Sequence, residues 1–561
     1  MGGSPSLGFL RYNQAGTMSN LISVSSEQLR GHAFGGQFAA RLLDFMTEST
    51  PWQRRLWRPG TVLALREIYE AGPWVDAQVL SPAALQWLCR DLERLAGDDA
   101  GLGAPEVRRQ LREVLRADLS EHSRHRRRLR ELIAIIDDSY ILRWAAITDA
   151  DQAVSSERLA RAVAAHLLDR GYTMAFLYRT VRQLAEADAT VGDFLAAACQ
   201  LASASPRKFE VLVPFLAVPQ QQLLAEGLPE WRSGTQVRDW LAEHSSGETV
   251  RQNGAFLHSI HAMDPYAAAR RAGEIVDGLL ARSSYSRRNR SGLKPAGRLW
   301  VVGLDESLPL DPPARGLDIV SLQKELTLYR VVDEDLLDNA LELAAPLNRG
   351  ARGPAVAGGW AALEALLYHP GDQADRRDGR AIAATRTAAI VTSSWPRAEL
   401  TALSYAHKPE TPDLLARQLL NAASNRERAV AVASALRTGR TLAARNPADA
   451  AAAARMTALM ASPQRSLLGV RAAVEGTLRR LYRQRNIVLH GGSTQAVALD
   501  ATLRTSAPLV GAALDRIAHA YLADSVLPLT LAARAETRLA LTGPKGTGQI
   551  TDLLEQEVIA A

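Results

Sequence analysis

The stretch LRRLYRQRNIVLHGG, Leu478 to Gly492, sets an arginine beside an asparagine, places a histidine five residues past the arginine, and ends in two glycines. Reading backwards from it, Ser462 and Pro463 mark a helix start, and Leu467, Val470, Val474, Leu478, Leu481, Arg485 and Val488 recur in alternating steps of three and four. This period predicts one long amphipathic helix that stops at Gly491 and Gly492, with Arg485 in a core-facing slot and His490 in the last turn. A guanidinium in an apolar slot is costly unless a partner or water meets it. It therefore points either to chemistry or to an arginine that snorkels out near the helix end. Five residues along a helix amount to about 140° of rotation and about 7.5 Å of rise, so Arg485 and His490 do not share a face of a straight helix. Either the helix breaks early or two chains each contribute half a site.

Spacing alone does not single out this pair. Arginine, four residues, histidine occurs twice, at Arg161 to His166 and at Arg485 to His490, and chance gives about one match in a chain so rich in arginine. The first pair sits inside an unbroken amphipathic pattern and reads as two surface or boundary side chains.

Outward from the C-terminal helix, residues 331–542 read as an uninterrupted series of helices, a bundle, followed by a flexible tail over 543–561. Before it, 206–330 mixes strands with helices: KFEVLVPFLAV, GAFLHSIHAMD, RLWVVGL and LDIVSL have strand composition, and Asp264 with Pro265 opens a helix. His258 and His261, three apart on a strand, point to opposite faces and make a poor metal pair. Residues 61–205 form a helical domain with Ser81 and Pro82 at one helix start, and residues 1–60 are poorly patterned. GGQ at Gly35 to Gln37 resembles the hydrolytic loop of peptide release factors, but three residues without that family's surroundings carry no reading. The expected fold class is mainly α with a small α/β module.

The 561 residues suggest about three domains, and 47% hydrophobic with 22% charged residues excludes a disordered or fibrous chain. A net charge of +6 favours anionic partners only where it clusters, as in RHRRRLR, Arg124 to Arg130, a run that either grips a nucleic-acid backbone or is a solvated face. Two cysteines, Cys89 and Cys199, exclude a disulfide framework or a cysteine-rich zinc site and fit a reducing compartment. With no apolar run of membrane-spanning length and no signal core, a cytoplasmic chain without membrane, metal or cofactor is expected.

A base beside a fixed cation suits RNA cleavage without metal. The base takes the ribose 2′-OH proton, the oxygen attacks the adjacent phosphate, and the arginine holds the charge that develops, leaving 2′,3′-cyclic phosphate and 5′-OH ends. Arg479, Arg480 and Arg483, one to two turns earlier, are placed to hold the RNA backbone, although as solvated helix residues they also need no explanation.

RLYRQRNIVLHGG, preceded about 120 residues earlier by GGWAALEALL, resembles the HEPN superfamily, and most nearly its ApeA-like branch from bacterial anti-phage defence, over residues 333–540. The resemblance implies a HEPN-type helical bundle carrying an R-N-x-x-x-H signature, in which paired protomers build a metal-independent endoribonuclease. By position it makes Arg485 and His490 catalytic, Asn486 the residue that orients the arginine or phosphate, Glu364 a polar partner from the WAALE helix, and Tyr482 a packing aromatic. Leu489, apolar and directly before the histidine, departs from the family pattern, and so does the long alanine-rich insertion between Glu364 and Arg485. The expectation is an abortive-infection effector that cuts RNA as a homodimer and answers to an inhibitor or a phage-derived trigger. Two alternatives stand beside it: a non-catalytic module that binds RNA, a nucleotide or a partner, and a structural assembly protein in which Arg485 only terminates a helix.

Overall fold

The computed structural model describes residues 33–555 except 98, 150–153, 246–247, 287–291, 325, 330, 333–334, 375–380 and 544–549. The readings made for residues 1–32, for the centre of the basic 282–297 loop and for the glycine-rich 544–549 segment lie outside the described residues. The described chain is mostly helical with one small antiparallel sheet, and it divides into two compact units.

One unit contains Gly171–Phe176 and Ala204–Pro313. Its strands are β1 (Arg207–Ala217), β2 (Trp231–Ser233), β3 (Gly254–Ala262), β4 (Lys294–Pro295), β5 (Arg298–Val301) and β6 (Leu308–Pro309), in the order β2-β3-β1-β5-β6 with β4 also on β1. Register sets Val211 opposite both His258 and Val301. Alternation then sends Phe209, Val211, Val213, Phe215, Phe256 and Ile260 to the face covered by the Pro265–Tyr285 helix, and Leu212, Ala255 and Trp300 to the face covered by the Gly234–His244 helix. Asp264, fully buried, caps the Pro265–Tyr285 helix through Ala267 N at 2.8 Å and also accepts from Thr173 N at 2.7 Å. LDIVSL is not a strand: Val320–Gln323 is a short 3-10 turn outside this unit, held by Asp515, whose carboxylate accepts from Ser321 N and Oγ.

The other unit joins Ser25–Arg170, Leu177–Ser203 and Ala314–Ala561. The expected boundary between a 61–205 helical domain and a 331–542 bundle is therefore absent, and charged partners far apart in sequence account for this. Arg54 reaches Glu399 and Asp449, each at 2.6 Å. Arg455 bridges Glu157 and Glu399 at 3.3 and 3.4 Å, and Arg504 meets Asp169 at 2.6 Å. The poorly patterned start contains a helix, Ala33–Phe45, with Gly35 to Gln37 inside it and Phe38, Arg41 and Leu42 fully buried. The last described residues are also packed, with Ile550 and Leu553 buried and Asp552 paired with Arg426 at 2.8 Å.

Two helices form the middle of this unit. Ile382–Ala406, lying in the stretch read as an alanine-rich insertion, is buried on nearly all faces from Thr387 to Pro396. Two of its buried hydroxyls are met by its own backbone, Thr387 Oγ1 donating to Ala383 O at 2.6 Å and Ser394 Oγ to Val391 O at 2.9 Å. Pro463–Gly491 packs against it and against Arg352–Leu367, Leu499–Asp524 and the N-terminal helices, and is enclosed from Val474 to Gln484. No helix among the described residues is long and apolar enough to cross a membrane.

Candidate active site

The Pro463–Gly491 helix ends where expected. Gly492 adopts a φ of 64°, left-handed, and its N–H returns to Ile487 O, so glycine closes the last turn without Cβ strain. Gly491 meets the indole of Trp74, where an added Cβ would lie 2.9 Å from the ring. His490 is thereby held exposed on the final turn, with Leu489 beside it half out in solvent.

Within this single chain Arg485 and His490 meet. Arg485 Nη1 donates to Asn486 Oδ1 at 3.0 Å and to His490 Nε2 at 3.2 Å. The rotation between the two positions is bridged by the length of the arginine side chain, with no break in the helix. Because a guanidinium only donates, Nε2 of His490 accepts here and carries the lone pair that a base needs. Arg485 is half-buried rather than sunk in the core, so the slot that the sequence period assigned to the interior lies at a rim.

That rim borders an open cavity of about 360 Å³ lined by Tyr482, Arg485, Asn486 and His490 on one side and Val79, Ser81 and Ala84 on the other. Tyr482 is backed by the fully buried indole of Trp360, ring centroids 4.7 Å apart. Ser81 caps the Pro82–Ala96 helix by accepting from Ala84 N at 3.2 Å, which sets the first turn of that helix against the cavity. The capping pair Ser81–Pro82 is legible as a helix start, but its three wall residues were not foreseen. No local signal places a helix start beside residues some 400 positions away.

The arginines expected to hold RNA are inside. Arg480 Nε donates to Glu67 Oε2 at 2.6 Å, and Arg483 donates to Glu67 Oε1 through Nε at 3.3 Å and Nη2 at 3.2 Å, all three residues being less than 5% exposed. Arg479 donates to Glu475 at 2.7 Å and lies with Arg483 over the ring of Trp87. The Thr61–Asp76 and Pro82–Ala96 helices cover this basic face, which is why it is not solvated. Burial raises the Glu67 carboxyl, but two guanidiniums against it hold the net shift below the usual range. Burial, together with repulsion from Arg480, brings Arg483 down to about 10, since one carboxylate cannot neutralise two cations.

Glu364 is not brought to the pair. Gly353 lies beside Val488 and Thr494 while the Trp360 ring lies against Tyr482, so the Arg352–Leu367 helix runs antiparallel to Pro463–Gly491. One turn past Trp360, Glu364 is separated from Arg485 by about 10 Å along the axis and does not line the cavity. The second Arg-x₄-His pair is structural: Arg161 pairs with Glu157 at 2.7 Å, and His166 is buried and stacked on Tyr140 at 4.9 Å rather than lying at the surface. No cluster of three or more His, Cys, Asp or Glu residues able to hold a metal occurs among the described residues. No protein-family model, no curated protein and no solved structure matches the chain.

Proposed function

We propose that the chain is a metal-independent endoribonuclease of HEPN type, serving bacterial anti-phage defence by abortive infection. The observation that carries this reading is the contact of Arg485 with His490 Nε2 and Asn486 at the edge of an open cavity. A phosphodiester entering the cavity draws the guanidinium onto its oxygens and frees Nε2. His490 then takes the 2′-OH proton, the 2′-oxygen forms the new bond to phosphorus, and the 5′-oxygen leaves and is protonated, giving a 2′,3′-cyclic phosphate and a 5′-OH. Arg485 stabilises the charge on phosphorus, and Asn486 Oδ1 orients it. The exposed helix tip with His490 and Leu489 is open to a second copy, as a homodimer through the bundle requires.

Incubation with single-stranded RNA in EDTA tests the reading. Cyclic phosphate ends are expected from the native chain, with loss of at least about 100-fold in His490→Ala and Arg485→Ala, the scale of general base and charge stabilisation. Unchanged cleavage in either variant would refute it. The second reading, a non-catalytic anion-binding module, draws on the same contact: the lone pair of His490 is already engaged by Arg485. It predicts RNA or nucleotide binding without scission.

A further inference from the structure

We infer that the cavity is a pocket for one unpaired nucleobase, the base adjoining the scissile phosphate, and that the N-terminal helices supply the wall that selects it. The inference rests on the nuclease reading and names its substrate as single-stranded RNA with an unstacked base. Four observations converge on it. A volume of about 360 Å³ lies at the lower end of ligand pockets, holding one nucleotide and excluding a base pair. Tyr482 offers an aromatic face on one side, fixed against Trp360, so little side-chain freedom is lost when a base stacks on it. Val79 and Ala84 provide an apolar counter-face, and small side chains there leave room for a ring. The polar groups stand at the edges: Arg485 and His490 where a phosphate would lie, the Ser81 hydroxyl, and the Asn486 amide, whose Oδ1 is occupied by Arg485 and whose N–H groups are left to meet a base acceptor. The buried Arg480 and Arg483 do not compete for this role. Affinity near the cut therefore comes from stacking and from Arg485 rather than from a row of cations.

Binding of non-cleavable 2′-O-methyl trinucleotides, one set for each central base, tests the pocket alongside cleavage of matched RNA. Tyr482→Leu keeps apolar packing on Trp360 but removes the stacking face, and should weaken binding about tenfold or more while Tyr482→Phe stays near native. Ala84→Leu, on the first turn of its helix, fills the cavity without touching Trp360 and should weaken purine-centred trinucleotides more than pyrimidine-centred ones. Thermal melts identify any variant that fails to fold, and Ala84→Leu then decides alone. Equal affinity in the native chain, Tyr482→Leu and Ala84→Leu overturns the pocket. RNA cut with the same base pattern in all three overturns the pocket and leaves the nuclease reading standing. Base-selective binding without any scission supports the pocket and refutes the nuclease. Neither binding nor scission removes both.

Discussion

Replacing Glu67 by glutamine tests the arrangement that most changed the expected site. The carboxylate is 3% exposed and accepts from two arginines that are 4% and 3% exposed. The substitution keeps the shape and one acceptor but removes the carboxylate to which both buried cations are hydrogen-bonded, leaving Asp91 and Asp169 as their more distant countercharges. Removing one partner of a buried ion pair destabilises by about 3–5 kcal/mol. For a unit of roughly 400 residues, unfolding entropy of about 2.1 cal/mol/K per residue converts this to a fall of about 4–6 °C in Tm. Scanning calorimetry at pH 7 reads it directly. The triple change Glu67→Met, Arg480→Met, Arg483→Leu removes the charge of the triad itself and should recover much of the loss. Glu67 titrates below its unfolded value of about 4.3, so its contribution is complete above that pH and disappears as pH falls through the lower folded value. A loss under about 1 kcal/mol in Glu67→Gln would match an exposed ion pair, refute the buried triad, and restore Arg480 and Arg483 as candidate RNA ligands.

Two further predictions concern histidine and glycine. Burial, reinforced by the cations of Arg170 and Arg66, holds His166 down to about 4, against about 6.5 unfolded, although Asp137 opposes the shift from 4.0 Å. Stability should therefore decline by about 3 kcal/mol as pH drops from 6.5 to 4; His166→Phe, which keeps a ring against Tyr140, should flatten that part of a pH–stability curve, and an unchanged slope would mean the imidazole protonates within the fold. Gly492→Ala should cost about 1 kcal/mol at its left-handed φ, and Gly492→Asn, which tolerates that conformation, distinctly less. Chemical denaturation showing equal losses for the two would exclude the cap as the reason.

Local chemistry was legible where it depends on near neighbours. Ser81 and Asp264 cap helices as their positions foretell, and Gly492 ends the Pro463–Gly491 helix. Strand alternation separated His258 from His261 and sorted the two faces of the small sheet. Legibility failed where a helix is enclosed on all sides. Ala33–Phe45 carries Gln37, Arg41 and Asp44 on one face but buries Arg41, and Ile382–Ala406 is buried from Thr387 to Pro396, so neither shows the exposed polar stripe of an amphipathic helix, and the second lies in a stretch read as an insertion. The period also misassigned the arginines of Pro463–Gly491, because a single apolar stripe does not reveal that a second face is covered by residues 61–96.

The sequence by itself determined the helical class, the presence of a small α/β module, the helix that carries Asn486, and the closing glycines that hold His490 at its tip, since each follows from caps, periods and turns within a few residues. Only the tertiary structure decided that Arg485 reaches His490 in one chain, that Glu67 withdraws Arg480 and Arg483 from solvent, that Glu364 stands apart, and that Val79, Ser81 and Ala84 complete the cavity. Burial of a charge and the walls of a cavity depend on which segments meet in space, and here they meet across some 400 residues of chain.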